Sequence, residues 1–188
     1  MARCGKVTAS RVRDVMDYTK TGKAGAKRTA YMWELVCERL TGKPAQHYES
    51  AAMVWGSENE AGSRMEYEAR TGEMVMQTGF HDHPTIAQAG GSPDGLIGDD
   101  GGWESKSPFN SANHLECWLS GMPDEHIPQV QFLMACTKRV YWVFVSHDQR
   151  MPAELQLYIQ RIPRDDKYIA ALEAEVIVFL GEVEALAA

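Results

Sequence analysis

Asp94, Glu104 and Lys106 sit in the pattern S-P-D, nine residues, E-x-K, running from Ser92 to Lys106. Side chains of these types at this spacing suit one kind of chemistry. Two carboxylates hold a hard divalent cation, and an amine beside them manages a water or a developing negative charge. On a strand, residues two apart project to one face, so Glu104 and Lys106 point together while Trp103 and Ser105 point away. Trp103 is then placed to seal a core, and the Ser105 carbonyl is a further oxygen available to a cation. Asp94 reaches the same face only if opposed positions of the two segments sum to an even number. A four-residue loop at 99–102 gives an odd sum, whereas a three-residue loop, or a bulge at Gly101 or Gly102, restores the register. An irregular turn is therefore expected here. The all-oxygen donor set selects Mg²⁺, with Mn²⁺ as substitute, over Zn²⁺. An acidic surface hairpin would carry the same letters, so the surrounding elements must decide.

Those elements belong to a chain of 188 residues, 44% of them hydrophobic, enough for one domain with a real core. No apolar run approaches the roughly 20 residues of a membrane span, and the first residues lack the apolar stretch of a secretory leader. Cys4, Cys37, Cys117 and Cys136 are scattered, which disfavours structural zinc or an iron–sulfur cluster and suits reduced thiols in the cytosol. The net charge of −7 is divided unevenly. Residues 1–28 hold eight basic and two acidic groups, or +6, and the rest holds 11 basic and 24 acidic, or −13. A basic N-terminal helix and loop on an acidic body suits gripping a polyanion at one place, although a solvated basic face has the same charge.

The spacing predicts a first helix from near Ser10, a loop over 20–28, and a second helix capped by Thr29 and stopped at Thr41-Gly42. A third helix is expected over 51–70, with Gly56 as the place where it would break. Short strands follow at 73–78, 85–89, 94–98 and 103–107. Helices resume at 111–120 and 124–138. Residues 139–146 form the strongest strand, buried on both faces. An alternating strand nearer an edge spans 154–162, and a closing helix covers 165–186. Trp33, Trp55, Trp118, Tyr141 and Trp142 fall at core spacing, while Tyr18 adjoins the basic loop and is the aromatic candidate for touching nucleic acid. His81-Asp82-His83 reads as a solvated loop rather than a metal site. The order gives one α/β or α+β domain around a central mixed sheet.

Taken together, the motifs resemble the PD-(D/E)-x-K nuclease superfamily and, more narrowly, the phage lambda exonuclease family of alkaline exonucleases. The likeness is carried by Arg3 to Ser10, the W-G-x-x-x-E of Trp55 to Glu60, Ser92 to Leu96, Glu104 to Phe109, and Gln129-Val130-Gln131, in order across nearly the whole chain. It implies an α/β fold with a restriction-endonuclease-like core, a central mixed β-sheet flanked by α-helices, filling residues 1–188 as a single nuclease domain. It also implies that Asp94, Glu104, the Ser105 carbonyl and Glu60 bind the metal, that Lys106 is the catalytic lysine, and that Gln129 supports the site. From Q-x-Q geometry one of the two glutamines is structural. Arg3, Ser10 and Ser92 fall where relatives hold a 5′-phosphate, a role that a guanidinium and a serine at a helix N-terminus can fill. Two departures stand out: relatives carry a segment ahead of the arginine, and Pro84 stands where some relatives place an aspartate, with Asp82 out of register.

The resemblance thus implies a Mg²⁺-dependent 5′→3′ exonuclease acting on double-stranded DNA ends, a ring-shaped homotrimer, and a single-strand annealing protein as partner. Phage or prophage origin and the cytoplasm of a bacterial host follow from the same likeness. Two other readings use the same fold: a restriction-like endonuclease or junction resolvase, and a non-catalytic DNA-end-binding subunit. Arg3, Ser10 and Ser92 count against the first, and the joint presence of Asp94, Glu104, Lys106 and Glu60 counts against the second.

Overall fold

The continuous apolar run from Val140 to Val145 becomes the centre of the architecture. In the computed structural model, which describes residues 2–46 and 48–188, it forms β7 (Tyr141–His147). Every residue of β7 after Tyr141 is buried, because helices cover both faces of its sheet. That sheet has the order β2 (Val75–Met76), β5 (Gly95–Ile97), β6 (Gly101–Lys106), β7 and β8 (Leu157–Pro163). It is mixed: β6 runs parallel to β7, and the other pairs are antiparallel. After the buried Leu157, β8 alternates between half-buried and exposed residues, as an edge strand should. A smaller sheet joins β1 (Val7–Thr8), β4 (Ala89–Gly91) and β3 (His81–Asp82), with β1 and β4 parallel.

Two apolar clusters lie on opposite sides of the larger sheet. On one side Trp142 and Phe144 pack with α2 (Ala26–Thr41), α5 (Ile127–Thr137) and α6 (Asp166–Ala187). On the other side Trp103, Val143 and Val145 pack with Tyr67 of α3 (Ala51–Thr71). The remaining helices are the short α1 (Val12–Val15) and α4 (Ser111–Ser120).

The hairpin turn has the required irregularity. Gly95 pairs with Trp103 and Ile97 with Gly101, leaving a three-residue loop in which Gly98 takes the left-handed conformation at φ +50°. The two glycines that follow serve close packing. A Cβ on Gly102 would come within 2.1 Å of the Trp142 ring, and one on Gly101 within 2.4 Å of Tyr141.

Several expectations are corrected. The second helix begins at Ala26, three residues before Thr29, because the Asp17 carboxylate accepts the Lys27 N–H at 2.9 Å. Thr29 instead turns its hydroxyl back to the Gly25 carbonyl. The segment 20–28 is also more structured than a plain loop, since Tyr18 and Ala24 are bridged. Ser10 lies within a single 3-10 turn, Ala9–Arg11, ahead of α1, and Thr8 holds the capping position. α3 continues through Gly56 without a break, and the strand expected at 85–89 forms at Ala89–Gly91. The strand expected from residue 154 starts at Leu157, after a 3-10 turn. His83 is buried, stacked on Phe132 and bonded to Glu173 at 3.0 Å, so the H-x-H segment is not a solvated loop. Trp33 and Trp118 are exposed, whereas Trp142 is fully buried. Tyr18 donates to Glu175.

Candidate active site

The register of β5 and β6 sets Asp94, one residue ahead of β5, opposite Glu104. Asp94 is held by the backbone: its Oδ2 accepts the Ser105 N–H at 2.9 Å. Glu104 and Lys106 share a face of β6, and the Lys106 ammonium donates to Glu104 Oε1. The same oxygen accepts from Gln129 Nε2 at 2.6 Å, so Gln129 on α5 adjoins the carboxylate. Gln131, its neighbour in Q-x-Q, ties α5 to the start of α6 by donating to the Pro163 carbonyl and accepting the Asp165 N–H. Ser105 faces the other way, its hydroxyl 2.6 Å from that of Ser63 on α3.

Burial governs the electrostatics. It pushes the Glu104 carboxyl up to about 7, against the pull of Lys106. It also raises Asp94, opposed by Lys106 and the Ser105 N–H. Glu60, which α3 brings to the same cleft, is raised by burial and then by the charge of Asp94. Lys106 is the reverse case. Burial disfavours its charge, but Glu104 and Asp94 outweigh that and hold its pKa above the ordinary lysine value. The ammonium is therefore charged at neutral pH in this arrangement.

Three acids with raised proton affinity around one lysine leave an excess of negative charge that a cation would relieve. Glu104 Oε2 is buried and has no hydrogen-bond partner. An oxygen of that kind, with only oxygen donors around it, fits a hard divalent ion. Among the described residues no three His, Cys, Asp or Glu side chains are already drawn together into a cage, and Glu104 is engaged by Lys106 and Gln129 instead.

The site opens at the C-terminal end of β6 into a cavity of about 780 Å³, bordered by Glu60, Lys106, Ser107, Phe109, His126 and Phe144. His126 stacks on Phe144 at 5.6 Å, and burial with the Lys106 charge lowers its pKa to about 4, so it is neutral. Arg150 shapes the rim. It stacks over Trp55 at 4.7 Å, donates to the carbonyls of Pro108 and Phe109, and pairs with the buried Asp148 at 2.7 Å.

A second cavity of about 480 Å³ gathers Arg3, Lys6, Ser10, Arg11 and Tyr31, and Met53 borders both cavities. Arg11 is occupied by Asp14 and Glu34, which leaves Arg3 as the guanidinium without an ion pair among the described residues. Ser92 does not border this cavity. It leaves β4 at the end where Ser10 leaves the parallel β1, with Thr8 opposite Gly90. Sequence reasoning missed Ser63, His126 and Arg150. Only Ser63 had a usable clue, its position one helical turn beyond Glu60.

Comparison with known proteins shows the family and the fold. Residues 1–140 match the family described as the YqaJ-like viral recombinase domain. The chain belongs to this family. Among solved structures it is similar to an alkaline exonuclease (LHK-Exo) from Laribacter hongkongensis, with 50% identity, 98% of this chain and 90% of that one covered, and a TM-score of 0.89. The same exonuclease in complex with dAMP matches at 51% identity over the same shares, with the same TM-score. A phage related exonuclease from Haemophilus somnus 129PT shares the fold at 15% identity, covering 96% and 94%, with a TM-score of 0.75. No curated protein matches. The YqaJ-like chain thus has a mixed α/β fold of the restriction-endonuclease-like kind, as its motifs implied. No helix among the described residues is long and apolar enough to cross a membrane.

Proposed function

We propose that this YqaJ-like protein is a metal-dependent exonuclease that degrades one strand of linear double-stranded DNA in the 5′→3′ direction to mononucleotides, leaving a 3′ overhang. The observation that carries the proposal is the end of β6, where Asp94, the unpartnered Oε2 of Glu104 and the charged Lys106 lie together beside a cavity that Lys106 and Glu60 border. Half-identity to an alkaline exonuclease over nearly the whole chain supports it. In this reading Asp94, Glu104, Glu60 and the Ser105 carbonyl hold Mg²⁺, or Mn²⁺ in its place. The ion supplies charge neutralisation at the scissile phosphate and a water of lowered pKa. Gln129 fixes the Glu104 carboxylate, and Lys106, already cationic, stabilises the negative charge that develops on the phosphate oxygens. Arg3 and Ser10 take the terminal 5′-phosphate in the neighbouring cavity, with Ser92 approaching from β4. End recognition by that cavity sets the polarity. A homotrimer, a single-strand annealing partner, phage or prophage origin and residence in a bacterial cytoplasm complete the proposal and rest on the family likeness.

The test is digestion of linear duplex carrying a 5′-phosphate or 5′-hydroxyl on one labelled strand, with Mg²⁺ or EDTA. Mg²⁺-dependent release of mononucleotides from the phosphorylated strand, with its complement intact, is expected. Cuts in closed circular DNA, or the absence of any cleavage with retained end binding, would overturn the reading.

A further inference from the structure

Ser105 touches the cleft through its backbone and its neighbours, yet its side chain points to the opposite face of the sheet. Its N–H holds Asp94 at 2.9 Å, Glu104 and Lys106 flank it, and its hydroxyl meets Ser63 Oγ at 2.6 Å. Ser63 is fully buried, and it lies three residues after Glu60 on α3. Residues three apart on a helix share a face, so the hydroxyl pair anchors the turn that projects Glu60. The Glu60 carboxylate itself makes no hydrogen bond or ion pair among the described residues; only the charges of Asp94, Arg64 and Lys106 act on it. Its place therefore depends on where α3 sits against β6. Next to Glu60, α3 has one other polar tie, the exposed Gln149 amide donating to Asn59 Oδ1 at 3.0 Å, and its ring contacts lie a turn or more away. Tyr67 packs on Trp103 at 6.1 Å, and Trp55 meets Phe109 at 6.1 Å.

We propose that Ser63 is a positioning residue: through the Ser63–Ser105 hydroxyl bond it holds Glu60 at the distance from Asp94 and Glu104 at which all three acids serve one cation. The inference rests on the metal site proposed above. It assigns a role to a small buried serine that a simple packing function would not need, because a buried hydroxyl without a partner is costly and an alanine would fit the same space. Outer contacts that orient ligating carboxylates commonly change metal affinity by about 10–100-fold.

Calorimetric titration of Mn²⁺ into the metal-free full chain, without DNA, tests this independently of catalysis. Ser63→Ala should weaken Mn²⁺ binding by about tenfold while keeping a wild-type circular dichroism spectrum. Ser105→Ala, which breaks the same bond from the strand side and retains the carbonyl, should do the same, and it answers the question if Ser63→Ala fails to fold. In a Glu60→Gln background Ser63→Ala should add about twofold or less, because its effect runs through Glu60. Unchanged affinity in both serine variants would overturn the role, and so would a full tenfold loss in the Glu60→Gln background. No Mn²⁺ binding by the wild type would instead remove the metal reading on which the role depends.

Discussion

Lys106 and Glu104 show how much one pair of side chains settles. They point the same way because β6 is extended, and that much follows from counting residues. Burial, which the letters do not show, raises Glu104 to about 7, while Glu104 and Asp94 hold Lys106 charged against its own burial. Lys106→Ala should therefore lower strand cleavage by about 10²–10³-fold while leaving duplex binding and the melting temperature close to wild type. Cleavage at the wild-type rate would take Lys106 out of the mechanism. Among single residues, Asp94 and Glu104 were legible from the S-P-D to E-x-K spacing, and Gln129 only through the family likeness. Ser63 was not, since a small polar residue on a helix looks solvated until a partner 42 positions away covers it. Arg28 misled in the opposite direction. It counts toward the basic N-terminus, but it is buried and bonded to Glu182 at 2.8 Å.

Among elements, β7 and the hairpin were read correctly for physical reasons. A continuous apolar run needs cover on both faces, and a plain four-residue turn would leave Asp94 off the face of Glu104, to which the three-residue turn returns it. The start of α2 was misplaced because its cap comes from Asp17, ten residues upstream of the N–H it binds, beyond the reach of local pattern. β4 was misplaced because Gly90 and Gly91 have little strand preference, and close contacts with Phe80 and Leu133 hold them in place. The loop after β8's predecessor carries its own pH dependence. Burial works to raise the Asp148 carboxyl, but hydrogen bonds from Arg150 and Ser111 outweigh it and bring the value to about 2. A carboxylate held below its unfolded value of about 3.9 favours the folded state fully above that pH, and the benefit is lost as pH falls through about 2. Urea unfolding should accordingly show wild type more stable than Asp148→Asn at pH 7, with the gap closing between pH 4 and 2. A gap independent of pH would mean that packing, not the Arg150 pair, is what Asp148 contributes.

Across the whole molecule, the division between a basic N-terminus and an acidic body survives in reduced form. Arg28 is inside, while Lys6, Arg11 and Arg13 are paired with Asp82, Asp14 and Glu125. Arg3, Lys20, Lys23 and Lys27 remain exposed and free of ion pairs among the described residues. If Lys20 and Lys23 meet DNA phosphates, replacing both with Ala should weaken duplex binding at every sequence and flatten the plot of log affinity against log salt by about 1–2. An unaltered slope would place the DNA elsewhere. The order of the strands has a consequence of a different kind. The proposed metal ligands and Lys106 all precede Tyr141, yet Glu104 lies beside Phe144, and β6 is flanked on one side by β7. A polypeptide still emerging from the ribosome cannot bury Glu104 or complete its central sheet until residues 141–147 have been made. The cleft therefore cannot assemble on a growing chain before β7 is available to pair with β6.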